Sequence, residues 1–358
     1  MQIVQLIPTI AYGDAVSNDT VALRDVLRGM GYKSNIYADS IVKPLDSKTA
    51  LPLEKMPELN EKDIIIYHLS TGNDLNKKLA EYKCKKIVIY HNITPPEFFE
   101  GNDEFIRDIN AWGLEGAEFL SDKVDYCLAD SEFNKKELIA MDYKCAIDVL
   151  PIVIPLHDYE KKPDKAVINR YKDGYTNIIF TGRIAPNKKQ EDIIAAFYYY
   201  KKYCNPKSRL ILVGSYKDTD VYYHRLKKYI KKIGVDDVIF TGHIKFNQIL
   251  AYYKVADAFV CMSEHEGFCV PLVEAMIFDV PVLAYRSSAV PDTLGGSAFV
   301  VDDKDPVFVA KCLERLVNDQ ELRESIIEKQ KRRLQDFKYE TIAEQFKNYL
   351  NKFIEQQQ

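Results

Sequence analysis

The 358-residue chain has no G-x-G-x-x-G string, no C-x-x-C pair and no apolar run near the ~18 residues a membrane-spanning helix needs. The first absence argues against a dinucleotide oxidoreductase. The second, with seven cysteines at irregular positions (84, 127, 145, 204, 261, 269 and 312), argues against a disulfide framework and predicts a reducing, cytoplasmic setting. Several of these thiols sit inside apolar runs, where cysteine behaves as a small hydrophobe. The third leaves a soluble protein, or one peripheral at the inner face of a membrane. No cationic leader is visible, because Gln2-Ile3-Val4-Gln5-Leu6-Ile7-Pro8 reads as a first strand. No His/Cys/Asp cluster has metal-ligand spacing, so neither a metal nor a resident cofactor is expected.

Charge of one sign is also missing. The net charge of −4 gives no reason to expect nucleic acid. Residues 1–150 carry 17 basic and 25 acidic side chains, and the remainder 32 and 28. A more basic second half suits a domain that holds a diphosphate. Lys77, Lys78, Lys83, Lys85 and Lys86 crowd one short stretch. That run is either a solvated helix face or a membrane-facing patch. With 47% apolar and 28% charged residues, the chain has the composition of a globular protein long enough for two cores.

What is present is an alternation of short apolar runs with helical patterns. Strands are expected at Ile3–Ile7, Lys33–Tyr37, Asp63–His68, Lys86–His91, Tyr126–Ala129 and Cys145–Leu150. Helices are expected between them, as at Asn18–Met30 and Glu132–Met141. A Pro-rich stretch, Pro151–Pro155, and the polar Glu160–Lys165 then read as an interdomain linker. The alternation restarts at Asn177–Thr181, Arg209–Val213, Val238–Thr241, Ala258–Met262 and Pro281–Ala284. This grammar predicts an α/β protein of two doubly wound parallel sheets, spanning 1–155 and 165–338. Tyr339–Ile354 reads as an amphipathic helix, with Gln356–Gln358 fraying beyond it.

The densest motif is Ser263-Glu264-His265-Glu266-Gly267-Phe268-Cys269-Val270-Pro271-Leu272-Val273-Glu274-Ala275-Met276. Its two carboxylates, Glu266 and Glu274, have seven residues between them. One falls on a loop at a strand's carboxyl end, the other in the first turns of the next helix. Ligands of open α/β sheets gather at that edge, and the helix N-terminus offers N–H groups to phosphate. A second string, Gly182-Arg183-Ile184-Ala185-Pro186-Asn187-Lys188, follows the first strand of the second half.

The Glu-Gly-Phe-x-x-Pro-x-x-Glu-Ala and Gly-Arg-x-x-x-x-Lys strings resemble those of retaining glycosyltransferases of family 4, the group 1 glycosyltransferases. The Tyr90–Pro95 and Gly13–Asn18 strings look like those of bacterial polysaccharide or glycan mannosyltransferase-like members. The resemblance implies a GT-B fold, in which two Rossmann-like domains face a cleft and the last helix crosses back to the first domain. It implies hexose transfer from a nucleotide diphosphate sugar, GDP-mannose first and UDP-sugars next, to a glycan or lipid-linked acceptor without metal. Front-face attack is implied, with the leaving phosphate accepting the proton, which accounts for the lack of an obvious general base.

Residue by residue, the resemblance assigns Arg183 and Lys188 to the departing diphosphate, whose charge they would neutralise. Glu266 would hold the sugar and Glu274 the ribose. Gly267, Phe268, Cys269 and Val270 would turn backbone N–H groups to the phosphates. Cys269 stands where the family has a third Gly. Gly242 and Ile244 would lie by the base. On the acceptor side, His91 would lie near the reacting centre, with His68, Gly13 and Asp14 nearby. Asp14 either orients an acceptor hydroxyl or belongs to a helix start capped by Ser17 or Asn18. Ser131 and Asp292 read as helix caps. Two further readings stay open: a silent GT-B subunit that organises a partner transferase, and a GT-B epimerase or phosphorylase.

Overall fold

The structure is a computed structural model that describes residues 1–356. Two compact units emerge. The first comprises residues 1–97, 105–155 and the chain from Asp336 onward; the second comprises 98–104 and 156–335. Phe98–Glu104 and residues 156–164 of the expected linker fall in the second unit, and the return to the first begins at Asp336 rather than after residue 338.

The first unit is a seven-stranded, all-parallel sheet. Its strands are β1 (Ile3–Ile10), β2 (Ile36–Ile41), β3 (Leu51–Pro52), β4 (Ile64–Leu69), β5 (Lys85–Tyr90), β6 (Tyr126–Ala129) and β7 (Ala146–Val149). They lie in the order β3-β2-β1-β4-β5-β6-β7. Parallel strands covered on both faces are apolar along their length, and all of β4 is buried. Side chains alternate between two cores. Val4, Leu6, Ile65, Tyr67, Val88 and Tyr90 enter one. Ile3, Ile64, Ile66, Ile87 and Ile89 enter the other.

The second core is completed by the C-terminal helix Tyr339–Glu355, through Ile342, Phe346, Leu350 and Phe353. Leu150 and Val153 join it. The stretch read as a linker is therefore packed, with Ile152, Val153 and Ile154 all buried. Gln357 and Gln358, expected to fray, lie outside the described residues.

The second unit is a six-stranded parallel sheet: β8 (Thr176–Thr181), β9 (Ser208–Val213), β10 (Val238–Phe240), β11 (Ala258–Cys261), β12 (Val282–Tyr285) and β13 (Phe299–Val301). Its order is β10-β9-β8-β11-β12-β13. Counted within the unit this is 3-2-1-4-5-6, the doubly wound order of dinucleotide-type folds.

Three sequence readings need correction. β1 runs through Pro8 to Ile10 rather than stopping at Ile7. Its pairing with β4 ends at Leu6, so Pro8 lies where the strand pairs on one side only and its missing N–H costs little. β2 begins at Ile36, since Lys33 makes only an isolated bridge to Gln2. β3 and β13, two and three residues long, are too short to show a period. Among the described residues, no helix is long and apolar enough to cross a membrane.

The packing of the last helix makes a direct prediction. Phe346 is 1% exposed, and Phe346→Ala should cost about 3–5 kcal/mol of stability. Urea unfolding checks this, and a loss under about 1 kcal/mol would contradict the packing.

Candidate functional site

In the second unit, strand order reverses between β8 and β11. The segments that leave these two strands carry the two motifs. They are stitched together by Asn187, a buried residue. Its carbonyl accepts from Glu264 N–H at 2.9 Å, and its Nδ2 donates to the His265 carbonyl at 3.1 Å. Close backbone approach beside this clasp demands glycine at 214, where an added Cβ would lie 1.9 Å from the Gly182 carbonyl oxygen.

Lys188 and Glu266 meet across the clasp. Lys188 Nζ donates to Glu266 Oε2 at 2.6 Å, with side chains 22% and 8% exposed. Burial alone would lower the Lys188 pKa, but the Glu266 carboxylate overrides it and the net direction is upward. Removing one partner of such a shielded pair leaves an uncompensated charge and costs about 3–5 kcal/mol. Arg183 is exposed, and among the described residues its guanidinium makes no ion pair. Positive charge is thus held at two levels: one cation locked on a carboxylate, the other open to solvent.

The Glu266 loop is fastened from the segment after β12. Glu266 N–H donates to Ser288 Oγ at 2.8 Å, and Ala289 N–H donates to the Glu266 carbonyl at 3.2 Å. Ser287 Oγ donates to the Ser263 carbonyl, and Thr293 Oγ1 to that of Phe268. Asp292, read as a helix cap, is not one. The helix Val290–Leu294 is preceded by Ala289, and Asp292 lies inside its first turn. From the other side, Lys304 bridges Asp192 and Glu264, each at 2.9 Å. Burial pushes the neighbouring His265 down to about 4, and its ring lies 6.0 Å from that of Phe98.

The loop ends at Cys269, whose φ of 70° is left-handed, before the helix Val270–Ile277. The first N–H groups of a helix have no acceptor within it. Glu274, inside this helix, is held by two phenols. Tyr159 Oη donates to its Oε1 and Tyr253 Oη to its Oε2, both at 2.7 Å. Burial raises the Glu274 pKa, and the two phenol hydrogen bonds oppose that rise. A carboxylate accepts about four hydrogen bonds, so both oxygens keep capacity for a ligand hydroxyl. Gly242 and Ile244 follow β10 and are half-buried, Gly242 with a φ of 70°.

The first unit's candidates form a separate constellation. Asp14, not Ser17 or Asn18, caps the first helix, which begins at Ala15. Its Oδ2 accepts from Ser17 N–H at 2.9 Å and Ser17 Oγ at 2.8 Å, just after Gly13. Ser131 caps the helix Glu132–Ala140, as its position predicts. His68 and His91 are hydrogen-bonded to each other, Nδ1 to Nε2, at 2.8 Å. His68 Nε2 faces Gln5 Oε1 at 2.8 Å, and His91 Nδ1 faces Asp130 Oδ2 at 2.9 Å.

The proton count of this chain follows from its ends. Gln5 Nε2 donates to the Thr20 carbonyl, so its Oε1 can only accept. His68 then carries its proton on Nε2, and a neutral His68 accepts at Nδ1. His91 must donate to His68 and also to the Asp130 carboxylate. It therefore holds both protons, as an imidazolium. The direction of each shift agrees. Burial works against the His91 cation, but Asp130 lifts its pKa overall, while burial and the His91 charge lower that of His68. Both His91 nitrogens are engaged and its side chain is 1% exposed, so contact with a sugar requires the His68 bond to open.

Asp19 sits 4.0 Å from the facing nitrogens of both histidines and accepts from Val153 N–H at 2.7 Å. Asp19, Asp130 and Gln5 were not singled out in the sequence. A polar Gln5 in the middle of a buried strand was the available signal. Among the described residues, two groups have donor spacing for a metal: Asp19–His68–His91 and Cys261–Glu266–Cys269. In the first, a proton already joins the two imidazoles. In the second, the Lys188 ammonium holds the carboxylate a cation would need.

Asp19 yields a pH prediction. Burial pushes its carboxyl up to about 7 from 3.8. The folded state thus holds a proton the unfolded state releases. That stabilisation is complete below about 3.8 and is lost as pH rises through about 7. In melting-temperature profiles, wild type should lose stability across this window relative to Asp19→Asn. Parallel profiles would contradict the assignment.

Residues 161–333 match the family model described as glycosyl transferases group 1. The chain is 26% identical over 201 residues to the capsular polysaccharide biosynthesis glycosyltransferase CapM of Staphylococcus aureus, covering 55% of this chain and 50% of that protein. It is 24% identical over 212 residues to the O-antigen chain mannosyltransferase B of Escherichia coli, covering 57% and 54%. The matched region thus spans about half the length of these relatives. Among solved structures, HepE from Anabaena with UDP and glucose superposes with a TM-score of 0.76 at 18% identity, covering 98% of this chain and 100% of HepE. That likeness over the full length gives the fold as GT-B, and the second unit, matched almost end to end, is a group 1 glycosyl transferase domain.

Proposed function

We propose that the protein transfers a hexose from a nucleotide diphosphate sugar to a glycan or lipid-linked acceptor, with retention at the anomeric carbon and without a metal ion. The observation that carries this is the Lys188–Glu266 pair at the reversal of strand order, beside the exposed guanidinium of Arg183. A nucleoside diphosphate departs only as its developing charge is met, and preorganised cations meet it without reorganising. Arg183 takes the outer phosphate oxygens. Lys188 serves the inner phosphate while keeping Glu266 ionised and oriented toward sugar hydroxyls. The N–H groups of the loop Gly267–Val270 complete the phosphate cradle. Glu274, set by Tyr159 and Tyr253, takes the ribose hydroxyls, and Gly242 and Ile244 flank the base.

The departing phosphate accepts the acceptor's proton, so no separate general base is needed. On the acceptor side, His91 acts through its positive charge and His68 by holding it, with Gly13 and Asp14 shaping the first turn. GDP-mannose is the first choice of donor, in keeping with the mannosyltransferase relative. UDP-sugars come next, in keeping with the UDP and glucose bound in HepE. The capsular and O-antigen relatives favour a polysaccharide or its lipid-linked precursor as acceptor.

A thermal-shift panel of GDP, UDP, ADP and dTDP with their sugar conjugates tests the reading, since binding to the native state raises the melting temperature. One nucleotide class should shift wild type and fail to shift Arg183→Ala. No shift with any nucleotide would contradict the proposal. With the donor in hand, Lys188→Ala should lower turnover by about 10²–10³-fold. NMR of the product should show the donor's anomeric configuration.

A further inference from the structure

We propose that Cys261 and Cys269 are a redox-modification site, forming a reversible disulfide that closes the Glu266 loop on itself under a hydroperoxide. The chemistry rests on geometry; its effect on donor binding rests on the function proposed above. Cys261 is the last residue of β11, and Cys269 ends the loop that follows. Their sulfur atoms and a Glu266 carboxylate oxygen all lie within 4.8 Å of one another. Cys261 Sγ also reaches Ser263 Oγ at 3.4 Å.

Two further features distinguish this pair from buried, inert thiols. Cys269 adopts a φ of 70°, a region that an L side chain enters only at a cost and glycine enters freely. Strain of this kind collects at functional positions. The two thiols are also unequal: the bond to Cys261, burial and the Glu266 carboxylate hold Cys269 well above its ordinary range, with the Lys188 charge opposing them only in part. The hydrogen bond from Cys269 holds the Cys261 thiol below its ordinary pKa, against its burial.

The steps balance. Cys261 is the attacking sulfur, because the hydrogen bond from Cys269 favours its thiolate. That thiolate attacks a peroxide oxygen, the O–O bond breaks, and a sulfenic acid and hydroxide form. Cys269, giving its proton to that hydroxide, attacks the sulfenic sulfur, the S–O bond breaks, and a second hydroxide leaves. The two thiol protons convert both hydroxides to water, and the peroxide is the two-electron oxidant. A dithiol reverses the reaction. An S–S bond of ~2.05 Å draws Cys269 toward the end of β11. Glu266 and the start of the next helix move with it, away from the geometry in which Lys188 grips Glu266. Oxidation therefore weakens nucleotide binding.

A second close pair, Cys127 and Cys145 at 3.5 Å, lies in the first unit, so the test uses Cys145→Ser protein. After treatment with hydrogen peroxide, non-reducing peptide mapping should show a 261–269 link. Affinity for UDP or GDP should fall by roughly tenfold or more, and dithiothreitol should restore it. Adding Cys261→Ala should abolish both the link and the peroxide sensitivity. Absence of the link, a link with unchanged affinity, or equal loss in the Cys261→Ala protein would overturn the proposal. If reduced protein binds no nucleotide, the donor-site reading fails, while the peptide map still decides whether the disulfide forms.

Discussion

The second unit depends on one ion pair, Lys188 to Glu266 at 2.6 Å, made between the segments that leave β8 and β11. Those segments are 78 residues apart in the chain, and nothing local holds them together. The pair is shielded, so neither partner can be lost without stranding a charge. Around it the protein spends many weaker bonds on the same geometry: the Asn187 clasp, Ser288 under the Glu266 amide, and Lys304 under Glu264. Such layering is what a site needs if its charges are to be in place before a ligand arrives.

The first unit has its own buried electrostatic element, of a different kind. The Gln5–His68–His91–Asp130 chain traps one proton, because its two ends can only accept. A cation is thereby fixed at the carboxyl end of β5 without an exposed basic residue. Asp19, nearby and only partly ionised at neutral pH because burial pushes it up to about 7, moderates that charge without cancelling it.

Much of the fold and the core of the candidate site were legible in the sequence, and the reason is range. Parallel strands buried on both faces read as apolar runs, and the Glu266–Glu274 string is contiguous. The partners of those residues were not legible. Tyr159 reaches Glu274 across 115 residues, from just before the polar stretch Glu160–Lys165 that reads as linker. Gln5 reaches His68 across 63. Ser288 and Thr293 fasten the loop, whereas the sequence drew attention to Asp292 between them. Hydrogen-bond partners of this sort are set by tertiary geometry, which no local period encodes. The misplaced start of the first helix has a simpler cause: Asp and Ser cap about equally well, and the earlier of the two, Asp14, takes the role while holding Ser17.

The central claim is that Lys188 and Glu266 act as one unit in holding the donor. A double-mutant cycle tests it most directly, with calorimetric titration of the nucleotide sugar against wild type, Lys188→Ala, Glu266→Gln and the double variant. The account predicts that the second substitution adds little once the first is made, a coupling of about 1–3 kcal/mol. Additive losses within about 0.5 kcal/mol would mean that the two residues serve the donor independently, and would contradict the account.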